Sequence, residues 1–145
     1  IRHRLLKPRD PGDKYRPDRA NLRSHPFVCN PATSVKGPVL VVEGEIKAMV
    51  AYIAIDDPNL HVIGIPGKKH FLNYAYLFED ADPVYILPDP DGEEAAIRLA
   101  QQIGVERCRM IQLGMKVDDA IVAGLLNRTS LRRLIQYAPK VPAGK

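Results

Sequence analysis

Short apolar runs alternate with segments of helical periodicity along the chain from residue 38 onward. Continuous runs of β-branched and aliphatic residues are typical of strands that are buried on both faces. Such runs predict four strands, at residues 39–42, 61–65, 84–87 and 109–113. Helical spacing predicts a first helix that contains residues 46–53, helices at residues 69–79, 93–103 and 118–123, and a last helix that starts near Thr129 or Ser130. Strands that alternate with helices predict an α/β fold, with a mostly parallel sheet covered on both faces.

The first predicted helix is defined by its apolar residues. Ile46, Met49, Val50 and Ile53 recur at helical spacing directly after the first strand. We expect this helix to end before Asp57 and Pro58, because the residue before a proline disfavours helical backbone angles.

The chain before residue 38 has a different composition. Residues 1–38 contain six of the thirteen prolines and little periodic pattern, which predicts an extended segment with a short strand near residues 26–30. Residues 1–36 carry nine Lys and Arg against three Asp, or +6, whereas the remainder carries twelve against fourteen Asp and Glu, or −2. We therefore divide the chain into a basic extended segment, residues 1–37, and a folded domain, residues 38–145. Such a segment either binds an anionic partner such as nucleic acid or serves as a solvated linker.

Composition narrows the class of protein further. The chain has 145 residues, of which 46% are hydrophobic and 26% charged, as in an ordinary globular domain. The longest apolar run has seven residues, too few to cross a bilayer, and the basic N-terminus lacks the apolar region of a signal peptide. Cys29 and Cys108 are too few for a disulfide framework, and His25 with Cys29 lacks a second pair of zinc ligands. We therefore expect a cytoplasmic protein that does not interact with membranes.

Acidic residues follow two of the predicted strands at the point where each strand ends. Glu43 comes directly after strand 39–42, and Asp89 and Asp91 follow strand 84–87. Because ligands of open α/β sheets bind at the carboxyl ends of the strands, we expect these residues at one edge of the sheet. Carboxylate oxygens are the ligands that Mg²⁺ prefers. An Asp before a helix can also simply cap it, so each residue alone is a weak indication, and the three together predict a site for Mg²⁺ or Mn²⁺.

These motifs resemble the Toprim domain, which topoisomerases and bacterial-type primases share. Residues 41–48, Val-Val-Glu-Gly-Glu-Ile-Lys-Ala, are similar to its first motif, especially as it occurs in phage- and plasmid-type primases. Residues 63–67 resemble its glycine-containing turn, residues 84–91 its Asp-x-Asp motif, and residues 116–120 the acidic step after the fourth strand of primases. The resemblance covers residues 38–125. It implies a Toprim-like four-stranded parallel sheet flanked by helices, here preceded by the extended basic segment.

The resemblance implies the metal-dependent catalytic core of a primase-like nucleotidyltransferase that acts on nucleic acid in DNA replication. Asp89 and Asp91 would then hold Mg²⁺ or Mn²⁺, and Glu43 would complete the metal site or handle a proton. Asp118 or Asp119 would assist from the fourth strand. The expected partners are single-stranded DNA or RNA, nucleoside triphosphates, and helicase or other replication domains. Because the chain starts with Ile1 rather than Met, we expect those domains in a longer protein from a mobile element or its host.

Two groups of basic residues, one at the same carboxyl edge and one in the basic segment, are candidate contacts to nucleic acid or nucleotides. Lys68 and Lys69, after the second strand, either bind a nucleotide phosphate or are ordinary charges in the first turn of a helix. In primases the segment before the Toprim domain belongs to a basic subdomain that helps to hold template or nascent strand. Lys14, Tyr15 and Arg16 combine charges that grip phosphate with a ring that stacks on a base.

The same acidic residues are also compatible with two other functions. A Toprim nuclease would use the same carboxylates to activate water, whereas a non-catalytic Toprim module would bind nucleic acid or a partner protein. The chain departs from many Toprim proteins because Gly92 directly follows Asp91, which shortens that turn. The shorter turn slightly favours the non-catalytic module.

Overall fold

The computed structural model of the chain describes residues 2–4, 15–17, 27–28, 36–66 and 72–142. The strands of this part are β1 (Arg2–Arg4), β2 (Tyr15–Pro17), β3 (Phe27–Val28), β4 (Gly37–Glu43), β5 (His61–Ile65), β6 (Ala81–Leu87) and β7 (Cys108–Met110). Its α-helices are α1 (Glu45–Ile55), α2 (Glu93–Ile103), α3 (Val117–Val122) and α4 (Arg128–Gln136). Two 3₁₀ segments, Leu72–Phe78 and Val105–Arg107, complete the described elements.

The predicted four-stranded parallel sheet is confirmed, and one short antiparallel strand extends it. The strands lie in the order β3-β5-β4-β6-β7, in which β4, β5, β6 and β7 are parallel and β3 is antiparallel to β5. Strand β3 falls inside the segment where a short strand was predicted. Strands β1 and β2 pair with each other instead. The first parallel strand, β4, therefore lies in the centre of the sheet, between β5 and β6. Ligands of open α/β sheets bind outside the carboxyl ends of such strands.

Helices cover both faces of the sheet. Successive apolar residues of the central strand β4 point to opposite faces, so both faces have to be buried. Val39 and Val41 of β4 pack into a core with α2 and the first 3₁₀ segment. Leu40 and Val42 point to the other face and pack with α1 and α4. Strands that are buried on both faces in this way need helices on both sides, as the continuous apolar runs predict.

The apolar spacing that predicts α1 does not mark its buried face. Ile46 and Ile53 are 54% and 72% exposed, and the residues that α1 buries are Ala48, Ala51 and Ile55. Small residues are needed there because the helix lies very close to β5. A Cβ atom on Gly64 would stand 2.9 Å from the Cβ of Ala48. Close approach of helix and sheet thus decides which side of α1 is buried.

Several element boundaries differ from those predicted. Strand β6 begins at Ala81, three residues before the predicted start, and β7 is Cys108–Met110 rather than 109–113. The aromatic-rich segment, for which a helix over 69–79 is predicted, forms a 3₁₀ helix at Leu72–Phe78 in its described part. The last helix is capped by Asn127, whose side chain accepts a hydrogen bond from the backbone N–H of Ser130 while the Ser130 hydroxyl accepts one from Asn127 N–H. Because this reciprocal capping box satisfies two backbone N–H groups, the helix is capped at Asn127 and not at Thr129 or Ser130.

The Arg107 side chain links several segments on the α2 side of the sheet, at the end away from the acidic residues. Arg107 donates hydrogen bonds to the carbonyl oxygens of Phe78, Glu79, Ala81 and Ile103, at 2.5–3.1 Å. These carbonyls belong to the end of the 3₁₀ segment, the start of β6 and the end of α2. In the described part of the chain, no helix combines the length and the hydrophobicity that a membrane crossing requires.

Candidate metal centre

Three acidic side chains converge at the carboxyl ends of β4 and β6. The two strands are parallel neighbours with Val42 opposite Leu87, so Glu43 and the residues that follow β6 meet at the same edge. One carboxylate oxygen from each of Glu43, Asp89 and Asp91 lies within 4.8 Å of the other two. The structure therefore brings together the three residues that the strand ends single out in the sequence. We call them the acidic trio.

Glu43 is the most deeply buried of the three acids, and Asp91 is exposed. Glu43 is only 7% exposed, and its Oε2 accepts a hydrogen bond of 3.1 Å from the backbone N–H of Asp89. Burial raises the pKa of Glu43 above its ordinary value, and the negative charge of Asp89 raises this pKa further. A cation beside the trio would relieve both effects, because it stabilises the ionised form of each carboxyl group.

Gly92 leaves the space that the Glu43 side chain occupies. Its backbone N–H donates a 2.8 Å hydrogen bond to the carbonyl of Asp89, which closes the turn between β6 and α2. A Cβ atom at residue 92 would stand 2.6 Å from Glu43 Oε2. The short turn after Asp91 is therefore compatible with convergence of the three carboxylates, and a glycine is needed at its end for steric reasons.

The turn after β4 holds Glu43 from the other side. Gly44 adopts a φ of 90°, which L side chains rarely allow, and its N–H donates a 2.7 Å hydrogen bond to the carbonyl of Ile65. A Cβ atom on Gly64 would also stand 2.4 Å from the Gly44 carbonyl oxygen. Gly44, directly after β4, and Gly64, on the neighbouring strand β5, thus let the chain turn sharply into α1 after the buried glutamate.

Lys47 is a member of the site that the sequence prediction missed. Its Nζ lies 3.1 Å from Asp89 Oδ2, and only 17% of its side chain is exposed. Helix α1 begins at Glu45, two residues after Glu43, so Lys47 lies in its first turn. Because side chains of an α-helix tilt towards its N-terminus, the Lys47 side chain extends back towards the end of β4. The sequence signal was the lysine within the Glu-Gly-Glu-Ile-Lys segment, four positions after Glu43.

A cleft of about 410 Å³ opens beside the trio. The two other predicted ligands, Asp118 and Asp119, differ in whether they line it. Asp119 lines this cleft together with Met115 and Lys116. Asp118 is not among the lining residues, and its buried Oδ1 has no hydrogen-bond partner in the part of the chain that the structure describes. The two aspartates follow one another at the start of α3, so they point to different sides of it.

The predicted contacts to nucleic acid cannot be placed in the same way. Lys14, Lys68 and Lys69 lie outside the described residues, as do His25 and Cys29. For Tyr15 and Arg16 the structure describes the backbone of β2 alone.

The donor set of the trio fits a hard divalent cation. Mg²⁺ takes oxygen ligands and is usually held by one or two carboxylates, with waters and substrate phosphates in its remaining positions. Asp89 and Asp91 offer the carboxylates, and the open cleft leaves room for a phosphate. Glu43, Asp89 and Asp91 would hold the ion, with Asp119 at the rim.

The chain is similar to known proteins in structure rather than in sequence. No family model matches it, and neither does any curated protein. Solved structures similar to it include the primase fragment of the bacteriophage T7 primase-helicase protein, with a TM-score of 0.53 and 19% identity. The zinc-binding and RNA polymerase domains of the Aquifex aeolicus primase match with a TM-score of 0.63 and 18% identity. The DnaG catalytic core matches with a TM-score of 0.58 and 17% identity.

These three matches cover most of this chain and a minor part of the others. They include 73%, 96% and 95% of this chain, and 44%, 36% and 47% of the T7, Aquifex and DnaG chains. The chain thus spans less than half the length of each primase structure. Likeness at such low identity establishes the fold and leaves the activity to be tested. The described part of this chain thus shares the fold of these structures, a Toprim-like parallel sheet flanked by helices.

Proposed function

We propose that this chain is the metal-dependent catalytic core of a primase-like nucleotidyltransferase that works in DNA replication. The observation that carries the proposal is the convergence of Glu43, Asp89 and Asp91 at the carboxyl ends of two neighbouring parallel strands. The primase fold of the chain supports it. The cofactor would be Mg²⁺ or Mn²⁺, and the substrates would be nucleoside triphosphates on a single-stranded DNA or RNA template.

Each acid has a distinct part in this proposal. Asp89 and Asp91 hold the cation at the mouth of the cleft, where a triphosphate can reach it. A bound cation would polarise the phosphate and offset the charge that develops during in-line displacement. Glu43, which is buried and has a raised pKa, completes the site or holds a proton next to Asp89. Asp119 assists from the rim of the cleft.

The remaining parts of the proposal concern the surroundings of the site. Lys68 and Lys69 would contact nucleotide phosphates, and Lys14, Tyr15 and Arg16 would contact the nucleic-acid strand. Residues 1–37 form the basic segment and residues 38–145 the Toprim domain, with β3 as a strand that the basic segment adds to the sheet edge. Helicase or other replication domains would accompany this chain in a cytoplasmic protein of a mobile element or its host.

The test is an oligonucleotide synthesis assay with the 145-residue chain. Single-stranded template, labelled nucleoside triphosphates and Mn²⁺ or Mg²⁺ should yield short labelled products that disappear in EDTA. Asp89→Asn and Asp91→Asn should each lower the yield by at least about a hundredfold, because a catalytic cation contributes several kcal/mol to transition-state stabilisation. Glu93→Gln, which removes an exposed acid at the start of α2, serves as the matched control and should synthesise like the unmodified chain.

Two other outcomes would contradict the proposal and identify its rivals. Shortening of the input strand without synthesis would indicate a nuclease that uses the same carboxylates. Binding of the strand with neither synthesis nor cleavage would indicate a non-catalytic module.

A further inference from the structure

Lys47 is built into the acidic trio rather than lying on the surface near it. Its ammonium group contacts Asp89 at 3.1 Å, and only 17% of its side chain is exposed. The first turn of α1, where the N–H of Ala48 donates to the carbonyl of Gly44, holds the lysine at this height above the strand. A buried charge persists only where it is paired, so Lys47 and Asp89 depend on each other.

The charges of the acidic trio and Lys47 leave room for one divalent cation. The ionised trio supplies three negative charges, and Lys47, which contacts Asp89, supplies one positive charge. The balance of −2 is neutralised by one divalent ion. A second divalent ion would leave an excess of two positive charges around a half-buried site, where like charges repel strongly.

We propose that Lys47 is a resident cation that restricts this site to a single divalent metal ion and takes the place that a second ion would have. This inference rests on the metal binding that the proposed function requires. Lys47 acts through Asp89, so it is a positioning residue, and its removal changes the number and affinity of bound ions. A lysine with a purely structural role would leave both unchanged.

The experiment counts Mn²⁺ ions on the 145-residue chain by the loss of the free Mn²⁺ signal in electron paramagnetic resonance. The unmodified chain should bind one ion. Lys47→Gln should lower the Kd of that ion about tenfold, because a neighbouring positive charge is removed from a site with little solvent. Lys47→Glu should bind a second ion, since it adds a carboxylate at the position of the ammonium group. Lys47→Arg should retain the original stoichiometry and Kd.

Lys116→Gln is the matched control, because Lys116 lines the same cleft and is exposed. Its Kd should change by no more than about twofold, since solvent and salt screen an exposed charge. Far-UV circular dichroism checks that each variant is folded, and Lys47→Met replaces Lys47→Gln if the latter does not fold.

Each other result counts against the inference. Two ions on the unmodified chain, or an unchanged Kd in folded Lys47→Gln, would overturn it while leaving the metal-dependent function standing. Absence of Mn²⁺ binding in every folded variant would overturn both. A Kd that falls as much in Lys116→Gln as in Lys47→Gln would show a general charge effect and would also refute the specific role of Lys47.

Discussion

Replacing Glu43 by Gln should stabilise the metal-free protein at neutral pH. A carboxyl group whose pKa is raised by folding stabilises the protein below its ordinary pKa, and this contribution is lost as the pH rises through the folded value. Burial and the charge of Asp89 raise the pKa of Glu43, so its ionised form opposes folding at pH 7. Glutamine has nearly the same shape, and its carbonyl oxygen can still accept the hydrogen bond from Asp89 N–H.

The size of the effect follows from the separation of the acidic trio. Two unit charges 4.8 Å apart repel each other by about 0.9 kcal/mol in water and by about 3.5 kcal/mol at an effective dielectric constant of 20. The ion pair of Lys47 with Asp89 offsets part of this repulsion. We therefore expect Glu43→Gln to raise the free energy of unfolding by about 1 kcal/mol, or Tm by about 3 °C for a domain of this size.

The assay is thermal unfolding in EDTA at several pH values between 4 and 8. The stabilisation by Glu43→Gln should be largest at pH 7 to 8 and should vanish towards pH 4, where Glu43 is protonated in both states. Added Mg²⁺ should stabilise the unmodified chain by about 1 kcal/mol and the variant by less. Glu93→Gln is the control, and it should leave Tm unchanged or lower it, because acids favour the first turn of a helix. A Glu43→Gln chain that is less stable than the unmodified one in EDTA at pH 7 would refute this reasoning.

Four further predictions address the turn, the fold and the basic segment. Gly92→Ala should weaken Mn²⁺ binding, measured by titration, because its Cβ displaces Glu43. Arg107→Lys should lower the unfolding free energy in urea by about 2 kcal/mol, since charged hydrogen bonds to four carbonyls cannot all be replaced, whereas Arg98→Lys at an exposed ion pair should change it little. Burial raises the pKa of the Cys108 thiol to about 11, so in a Cys29→Ser chain a thiol reagent at pH 8 should react only after unfolding. Deletion of residues 1–23 removes eight Lys and Arg and should reduce both the affinity for single-stranded DNA and its salt dependence, by about 0.7 in slope for each lost phosphate contact.

The pattern of residues was sufficient to predict the parallel sheet and the location of the site. A strand that is buried on both faces needs an unbroken apolar run, and such a run is visible in the sequence, as at 39–42. The carboxyl ends of parallel strands necessarily share one edge of the sheet. For that reason Glu43, Asp89 and Asp91 could be placed together from their positions after the strands alone.

Features that depend on how closely elements approach one another could not be predicted in this way. The buried side of α1 is its alanine side, because Gly64 lets the helix approach the sheet so closely that larger side chains do not fit. The apolar stripe with Ile46 and Ile53 is more hydrophobic, and hydrophobicity alone predicts the wrong face. Steric fit between two elements is a property of their tertiary arrangement, which periodicity within one element does not contain.

Some features of the acidic site could be predicted from the sequence, and others depended on the tertiary structure. The three acids were determined by the sequence, because strand ends are visible in it. The ion pair of Lys47 with Asp89 and the separation of Asp119 from Asp118 required the structure. The Lys47 side chain reaches Asp89, which lies on a different element, only once the start of α1 and the turn after β6 have fixed positions. Pairing of this kind depends on distances of a few ångströms, and tertiary packing alone sets those distances.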